Sequence, residues 1–272
     1  MKISVITVCY NSEKYIRTAI ESVLNQTCQD IEYIIVDGNS TDSTINIVKE
    51  YEPEFNGSMR YISEADSGLY EAMNKGIKMA TGEIIGILNS DDFYNYSDCL
   101  EKIAAVFEDK NIDACFADVR FVKQKNTEKT VRYYSSAKFS PALFRWGFMP
   151  AHPSFFARKK CFEKAGYYKT DYKIAADYEL LIRFLYTERF SYKYIPLDII
   201  KMRTGGKSTK SLKSNCILNK EIVRGCRENG IYTNIFLLCF KYFWKIFEFI
   251  FLRKKHYTQE CNKTSDLDLK KR

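Results

Sequence analysis

Residues 82–92, GEIIGILNSDD, decide the fold that the sequence predicts. An apolar run at 84–88 ends abruptly in the polar residues 89–92, Asn-Ser-Asp-Asp, which favours a buried strand that delivers carboxylates at its C-terminal end. Open α/β sheets bind ligands at that end of their strands, and hard cations such as Mg2+ prefer carboxylate oxygens. The alternative is a strand followed by a polar turn in which Asp92 or a neighbour caps a helix.

The residues before this stretch alternate between strand and helix patterns. Compact β-rich runs at 3–8, 33–36 and 60–62 precede the run at 84–88, and amphipathic helical spacing separates one run from the next. A β-α-β-α-β-α-β order implies a parallel sheet with right-handed crossovers. We therefore predict an α/β protein with a Rossmann-related, mostly parallel sheet flanked by helices.

The pattern continues less regularly after residue 92. We predict helices at 97–107 and 176–187 and strands at 113–122, 130–134 and 192–202. Pro196 would place the last strand at an edge or break it. Residues 135–153 lose alternation and are interrupted by Pro141, Gly147 and Pro150, so we predict a loop region that faces the substrate.

Composition excludes several classes of protein. The chain has 272 residues, of which 46% are apolar, so it can bury a sizeable core and is not of a disordered composition. Its nine cysteines contain no CxxC pair, which argues against a zinc site or a thioredoxin-like motif and fits reduced thiols in the cytosol. The N-terminal sequence ISVITVCY is too short and too polar for a secretory leader and is expected to form the first strand.

The positive charge lies mainly in the C-terminal part. From Lys201 onward there are 17 basic and 6 acidic residues, whereas the whole chain has 42 and 34. Residues 235–252 are strongly apolar, but Lys241, Lys245 and Glu248 share one helical face. This pattern favours an amphipathic helix on a membrane surface through 235–255; packing on the protein's own core, a dimer contact and a true span are the alternatives. A polar, disordered tail is expected at 257–272.

Acidic residues follow several of the predicted strands. Asp37, Asp66 and the pair Asp91-Asp92 lie in loops that should meet at one edge of the sheet. Converging carboxylates are costly unless something cationic lies there, so a nucleoside diphosphate with a divalent metal suits them. No GxGxxG follows the first strand, which disfavours a dinucleotide site.

Three features further along are candidates for chemistry. The run Gly205-Gly206-Lys207-Ser208-Thr209 lacks the first glycine and the context of a Walker A motif, yet such a loop can bind phosphate. His152 is either a turn residue satisfied by the backbone or a ligand contact. Asp177 either caps a helix or serves as a general base, and spacing alone does not separate these roles.

Taken together, these features resemble inverting glycosyltransferases of family 2, which have the GT-A fold. Enzymes of this kind are used in bacterial surface polysaccharide biosynthesis. The segments that carry the resemblance come in the family's order over roughly residues 1–210: ISVITVCYNSEKYIRTAIESVLNQT, EYIIVDGNSTDST, SEADSGLYEAMNKGIKMATGEIIGILNSDD, HPSFFARKKCFEKAGYY and KIAADYELLIR. The resemblance implies a glycosyltransferase domain at 1–210, with a nucleotide-sugar half at 1–110 and an acceptor half at 111–210. A helical membrane-association segment would follow at 211–256.

The resemblance also implies roles for residues around the donor. Asp37 would lie at the nucleotide base or ribose, and Asp66 with the segment that includes Asn74 would help form the donor pocket. Asn89-Ser90-Asp91 occupies the family's DxD position, so Asp91 or Asp92 would hold Mg2+ or Mn2+ against the donor diphosphate. The family often has Asp where Gly38 and Asn89 stand, which leaves the metal ligands open. A related subgroup shares the VDG form.

Around the acceptor, Asp177 matches the family's catalytic base. His152 and the loop at Gly205 and Gly206 fall where acceptor or diphosphate contacts are expected. The implied reaction is a metal-dependent, inverting transfer from a nucleotide-sugar, such as a UDP-sugar, to a saccharide or lipid-linked saccharide. The expected location is cytoplasmic, at the inner face of the cell membrane.

Other functions remain as alternatives. A sugar nucleotidyltransferase would carry a Gly-rich basic loop where residues 9–12, Cys-Tyr-Asn-Ser, stand. A non-catalytic membrane adaptor would have no need of Asp91, Asp92 and Asp177. A nucleic-acid partner would explain the basic tail, but no readout module is visible, so we expect no nucleic acid.

Overall fold

The computed structural model describes residues 1–205 and 212–240. Nine strands are found in this part of the chain: β1 Ile3–Cys9, β2 Ile31–Asp37, β3 Met59–Ser63, β4 Ile84–Ile87, β5 Asp92–Tyr94, β6 Ala114–Val122, β7 Thr130–Tyr134, β8 Phe156–Arg158 and β9 Tyr192–Arg203. The α-helices of the same part are α1 Ile16–Leu24, α2 Thr44–Tyr51, α3 Leu69–Met79, α4 Cys99–Phe107, α5 Lys159–Ala165, α6 Ala176–Ile182 and α7 Leu212–Glu228. Residues 235–240 are also helical.

The strands form one sheet in the order β3-β2-β1-β4-β8-β6-β9-β5, and β7 pairs with β6. The first half is parallel, with β1 between β2 and β4, as the β-α-β order predicts. The second half is mixed, because β8 runs antiparallel to both β4 and β6, while β9 runs parallel to β6. The predicted α/β fold with helices on the sheet is confirmed, but β5 and β8 were not predicted.

Both faces of the sheet are covered, which explains the apolar strands. All seven residues of β1 are buried, and α1 covers one face with Ile16, Ala19, Ile20 and Val23. Gly86 in β4 lets the unpredicted strand β8 pack closely, since a Cβ at this position would lie 2.0 Å from a ring carbon of Phe156. A short strand of three residues thus joins the two halves of the sheet through a specific contact.

Pro196 neither ends β9 nor lies in a regular ladder. Ala117 of β6 pairs with Ile195, and the next β6 residue, Asp118, pairs with Asp198, so Pro196 and Leu197 are accommodated in a bulge. The strand continues to Arg203, and β5 pairs with it at residues 200–202. The missing N–H of proline is tolerated because a bulge needs no ladder hydrogen bond there.

Helix α7 packs on the main core. Its residues Ile222 and Cys226 are 3% and 0% exposed and lie in the same apolar cluster as Phe144 and Tyr178. The predicted boundary at 210 therefore falls before a helix that shares the core of residues 1–205. The C-terminal part of the predicted membrane helix, 241–252, and the tail lie outside the described residues. Within residues 1–205 and 212–240, no helix is both long and apolar enough to span a bilayer.

Candidate active site

The loop after β2 is built around Asp37. Its carboxylate is fully buried and accepts hydrogen bonds from the Ser40 amide at 3.0 Å, the Ser63 hydroxyl at 2.7 Å and the Ser40 hydroxyl. These bonds tie the ends of β2 and β3 together. Asp37 thus shapes the loop, and its predicted contact with a nucleotide base or ribose stays a prediction.

The loop that carries Asp66 lies against the loop after β2. A Cβ placed on Gly38 would be 2.9 Å from Asp66 Oδ2 and 3.5 Å from the ring of Tyr10. Asp66 Oδ1 accepts the Gly68 amide at 2.9 Å, just before α3 begins. The predicted convergence of these two acidic loops is therefore seen in the structure.

The stretch 89–92 forms a tight turn between β4 and β5. The Ser90 hydroxyl lies 3.0 Å from that of Ser12, which connects the turn to the loop after β1. Asn89 Nδ2 donates to Asp92 Oδ2 at 3.1 Å. Asp92 is only 2% exposed, whereas Asp91 is half-buried. Burial and the neighbouring Asp91 carboxylate raise the pKa of Asp92 well above its ordinary value.

Arg203, which the sequence analysis missed, lies directly beside this turn. Its Nη1 donates to the Asp91 carbonyl at 2.7 Å, and its guanidinium lies 4.6 Å from the Phe93 ring centroid. It is 8% exposed, and its Nε has no hydrogen-bond partner among the described residues. Burial lowers the pKa of Arg203, against the effect of Asp92 and Asp91. No sequence pattern around Arg203 indicated a role in the site, because Arg203 is brought to the Asp91 turn only by the pairing of β9 with β5.

Asp91 and Asp92 suit a divalent cation shared with a ligand. Two adjacent carboxylates, one of them buried, repel each other, and a cation would relieve that repulsion. Mg2+ is usually held by one or two carboxylates plus substrate phosphates rather than by a complete protein cage. Residues 1–205 and 212–240 contain no group of three or more His, Cys, Asp or Glu that could hold a metal ion. A site completed by a diphosphate fits both observations.

His152 and Asp177 are in direct contact. His152 Nδ1 lies 3.1 Å from Asp177 Oδ2, and the side chains are 31% and 15% exposed. Because β8 runs antiparallel to β4, the residues before Phe156, including His152, lie at the same edge of the sheet as residues 89–92. Asp177 Oδ1 also accepts the Tyr178 amide at 2.8 Å. The N-cap of α6 is Ala175, so the interpretation of Asp177 as the helix cap is wrong. Its role as a general base stays a prediction.

Helix α3 connects the donor side to the segment before α6. The Tyr70 hydroxyl donates to the Ile174 carbonyl at 2.5 Å. Asn74 Nδ2 donates to the Tyr168 carbonyl at 2.8 Å, and its Oδ1 accepts the Tyr168 amide at 2.9 Å. Both polar atoms of Asn74 thus bond the backbone, so its predicted donor contact is the least supported by this geometry and stays a prediction.

Glu179 is a second buried carboxylate that the sequence analysis missed. It is fully buried and lies 2.8 Å from Lys169 Nζ and 2.9 Å from Arg183 Nε. Arg183 in turn donates to the carbonyls of Ala165 and Tyr167. This network fixes α6, and with it the adjacent Asp177, to the preceding loop.

The glycine loop is described only at its start. Gly205 is exposed with a φ of +101°, a backbone conformation that favours glycine, and a Cβ there would lie 2.8 Å from Gln124 Nε2. It follows Arg203 by two residues and so lies near the Asp91 turn. Gly206 lies outside the described residues, and its predicted diphosphate contact stays a prediction.

Comparisons with known proteins identify relatives of this chain. Residues 4–168 match the family model described as Glycosyl transferase family 2. A PGL/p-HBAD biosynthesis glycosyltransferase of Mycobacterium bovis is 28% identical over 222 residues, which cover 81% of this chain and 82% of that protein.

Two solved structures share the fold. S. aureus TarS 1–349 in complex with UDP-GlcNAc superposes with a TM-score of 0.66 at 20% identity, covering 85% of this chain and 68% of that one. The mannosyltransferase PcManGT from Pyrobaculum calidifontis, in complex with GDP-Man and Mn2+, gives 0.58 at 16% identity, covering 94% and 83%. The chain spans 41% of a longer TarS chain. These likenesses show the fold, which is the predicted GT-A architecture.

Proposed function

The chain belongs to glycosyl transferase family 2, and from that premise we propose its reaction. It transfers a sugar from a nucleotide-sugar donor, a UDP-sugar in the simplest case, to a hydroxyl group of a saccharide or lipid-linked saccharide acceptor, with inversion at the anomeric carbon. The observation that carries this proposal is the meeting of the Asp37, Asp66 and Asp91 loops with the His152–Asp177 pair at one edge of the sheet. The donor class is supported by TarS and PcManGT, which were solved with UDP-GlcNAc and GDP-Man.

The donor side divides into a nucleoside part and a diphosphate part. The Asp37 and Asp66 loops would receive the nucleoside, because they adjoin each other and lie on the outer strands β2 and β3. Asp91, with Asp92 behind it, would hold Mg2+ or Mn2+. When bound, such a cation neutralises the charge that develops on the departing diphosphate. Arg203 adds a fixed positive charge beside the same turn.

The acceptor side is built around Asp177. Its carboxylate takes the proton from the acceptor hydroxyl as the oxygen attacks the anomeric carbon, on the face opposite the leaving diphosphate. One displacement of this kind inverts the configuration through an oxocarbenium-like state. The contact of His152 Nδ1 with Asp177 Oδ2 at 3.1 Å holds the carboxylate in one orientation.

Nucleotide release from a panel of nucleotide-sugars, with purified protein and Mn2+ or Mg2+, tests the proposal. Asp177→Asn should leave nucleotide binding largely intact but remove at least ~10²-fold of the rate. Asp171→Asn is a matched control, since Asp171 lies in the same region but pairs with the exposed Arg224. Normal turnover of the Asp177→Asn enzyme would exclude Asp177 as the base, and a lack of release from every donor would refute the proposed reaction.

The membrane surface is the location that we propose for the acceptor. Near the start of the apolar segment, large side chains are strongly exposed: Tyr232 at 71%, Ile235 at 53%, Phe236 at 84% and Phe240 at 59%. Large apolar side chains exposed within nine residues of the chain favour an interaction site, and the basic charge of the following residues suits anionic lipid. Sedimentation with anionic liposomes should show binding that falls with salt; no binding at low salt would contradict this location.

A further inference from the structure

A carboxylate from α7 holds the backbone just before the helix of Asp177. Glu221 Oε1 accepts the Lys173 amide at 2.8 Å, and Oε2 accepts the Ile174 and Ala175 amides, both at 2.9 Å. Ala175 is the N-cap residue of α6, and its own side chain makes no capping bond. Glu221, from another helix, therefore binds the amide of the N-cap residue and the two amides before it.

Three consecutive amides aimed at one carboxylate form a specific anion site. The Ala175 amide lies at the start of α6, where amides lack intrahelical partners, and the Lys173 and Ile174 amides belong to the segment before it. The side chain of Glu221 uses both of its oxygens for this purpose. The site thus fixes the entry of the chain into α6 two residues before Asp177.

The same short segment is also held from the donor side. Tyr70, in the first turn of α3, donates to the Ile174 carbonyl at 2.5 Å, while Glu221 accepts the Ile174 amide. Residue 174 is therefore clamped between α3, which follows the Asp66 loop, and α7. Beyond it, His152 fixes the Asp177 carboxylate at 3.1 Å. The position of this carboxylate depends on both the backbone clamp and the histidine.

We propose that Glu221 is a positioning residue for Asp177, so that α7, outside the residues 4–168 that match the family model, is part of the catalytic apparatus. This inference rests on the proposed function, in which Asp177 is the base. Loss of the Glu221 clamp lets the start of α6 move, and a displacement of about 1 Å from a productive geometry can cost ~10²-fold in rate. Donor binding is unaffected, because Glu221 touches neither the Asp37 nor the Asp91 loop.

Glu228→Gln is the matched control for Glu221→Gln and Glu221→Ala. Glu228 lies two turns further along α7 and binds Lys169 at 2.7 Å and Tyr172 at 2.9 Å, so it anchors the same helix to the same loop without touching residues 173–175. Both glutamates contribute to folding, and Glu228 shares Lys169 with Glu179 of α6, but only Glu221 binds the amides of residues 173–175. Glu221→Gln keeps one oxygen for the Ile174 and Ala175 amides and should give an intermediate effect.

The experiment measures hydrolysis of UDP-GlcNAc with Mn2+, in which water replaces the unidentified acceptor, together with thermal unfolding. We expect kcat to fall about 10- to 100-fold in Glu221→Ala and less in Glu221→Gln, with KM for the donor nearly unchanged. Glu228→Gln should lower Tm comparably but keep kcat within about threefold of wild type.

Two outcomes would overturn the inference. If Glu221→Gln and Glu228→Gln lose kcat equally at equal loss of Tm, the role of Glu221 is structural only; this pair decides the matter even where Glu221→Ala does not fold. If wild-type protein releases no nucleotide from any donor, the proposed function fails, and the positioning role fails with it.

Discussion

The contact between His152 and Asp177 allows a direct test of how the base is held. His152→Ala removes the Nδ1 donor that lies 3.1 Å from Asp177 Oδ2. His152→Asn restores a donor at nearly the same place, because an Asn amide nitrogen occupies the position of Nδ1 relative to the backbone. In His152→Gln the amide nitrogen lies further out, near the position of Nε2. The three variants therefore separate the contact made by Nδ1 from the rest of the imidazole ring.

The expected magnitude follows from the charge of the acceptor. A hydrogen bond to a charged group contributes about 1.5–3 kcal/mol, and about 1.4 kcal/mol corresponds to a tenfold change in rate. His152→Ala should therefore lower kcat/KM about 10- to 100-fold, whereas His152→Asn should recover most of the loss and His152→Gln little of it. The assay is nucleotide release from UDP-GlcNAc, and nucleotide affinity by calorimetry should stay nearly unchanged.

A double variant completes this test. In an Asp177→Asn background, His152→Ala should cost little more, because residues that act as one unit are not additive. The reasoning would be refuted if His152→Asn were as slow as His152→Ala while both remained folded, since the ring itself would then be required. It would also be refuted if all three His152 variants kept wild-type rates.

Two further predictions concern buried carboxylates that stabilise the fold. Burial alone would raise the pKa of Glu32, but hydrogen bonds from Ser4, Thr81 and Arg60 outweigh it and lower the pKa to about 2. Because this folded-state value lies below the ordinary value of 4.5, Glu32 should contribute up to about 3 kcal/mol that is present above pH 4.5 and lost as the pH falls toward 2. The free energy of unfolding, measured with guanidinium at a series of pH values, should thus fall less steeply below pH 4.5 in Glu32→Gln than in Glu50→Gln. Glu50 is the control because its carboxylate pairs with Arg17 at the surface. Equal slopes in the two variants would contradict this prediction. Glu179→Ala, which leaves Arg183 and Lys169 without their buried partner, should lower the free energy of unfolding by about 3–5 kcal/mol. Glu188→Ala, which removes the more exposed pair with Lys164, should cost less than about 1 kcal/mol, and equal losses would argue against a special role for Glu179.

The parallel half of the fold could be predicted because each of its strands and helices is recognisable from a short run of consecutive residues. Each strand from β1 to β4 is a short apolar run, and each ends in polar residues at the same edge of the sheet. The Asp37, Asp66 and Asp91 loops could therefore be assigned to one site before the structure was known. For Asp177 the local pattern predicted only a position near the start of a helix, and its assignment to the site came from the family resemblance.

The missed features depend on pairings between distant parts of the chain. β8 is only three residues long, and its place beside β4 depends on the space that Gly86 leaves for Phe156. Arg203 reaches the Asp91 turn only because β9 pairs with β5. Glu221 meets the amides of residues 173–175 from a helix that begins at Leu212. None of these contacts produces a period or motif, so no sequence pattern could have indicated them.

Gly38 illustrates how a departure from a family pattern can follow from the packing of one loop. The family often has Asp at this position, but here a Cβ would lie 2.9 Å from Asp66 Oδ2, closer than a carbon and an oxygen normally approach. A carboxylate at 38 would add like charge to that steric conflict. A side chain at 38 would require the Asp66 carboxylate to shift, and that shift would disturb its 2.9 Å bond with the Gly68 amide. Gly38 and Asp66 are therefore a linked pair, in which the absence of a side chain at one position keeps the carboxylate of the other at the edge of the candidate donor site.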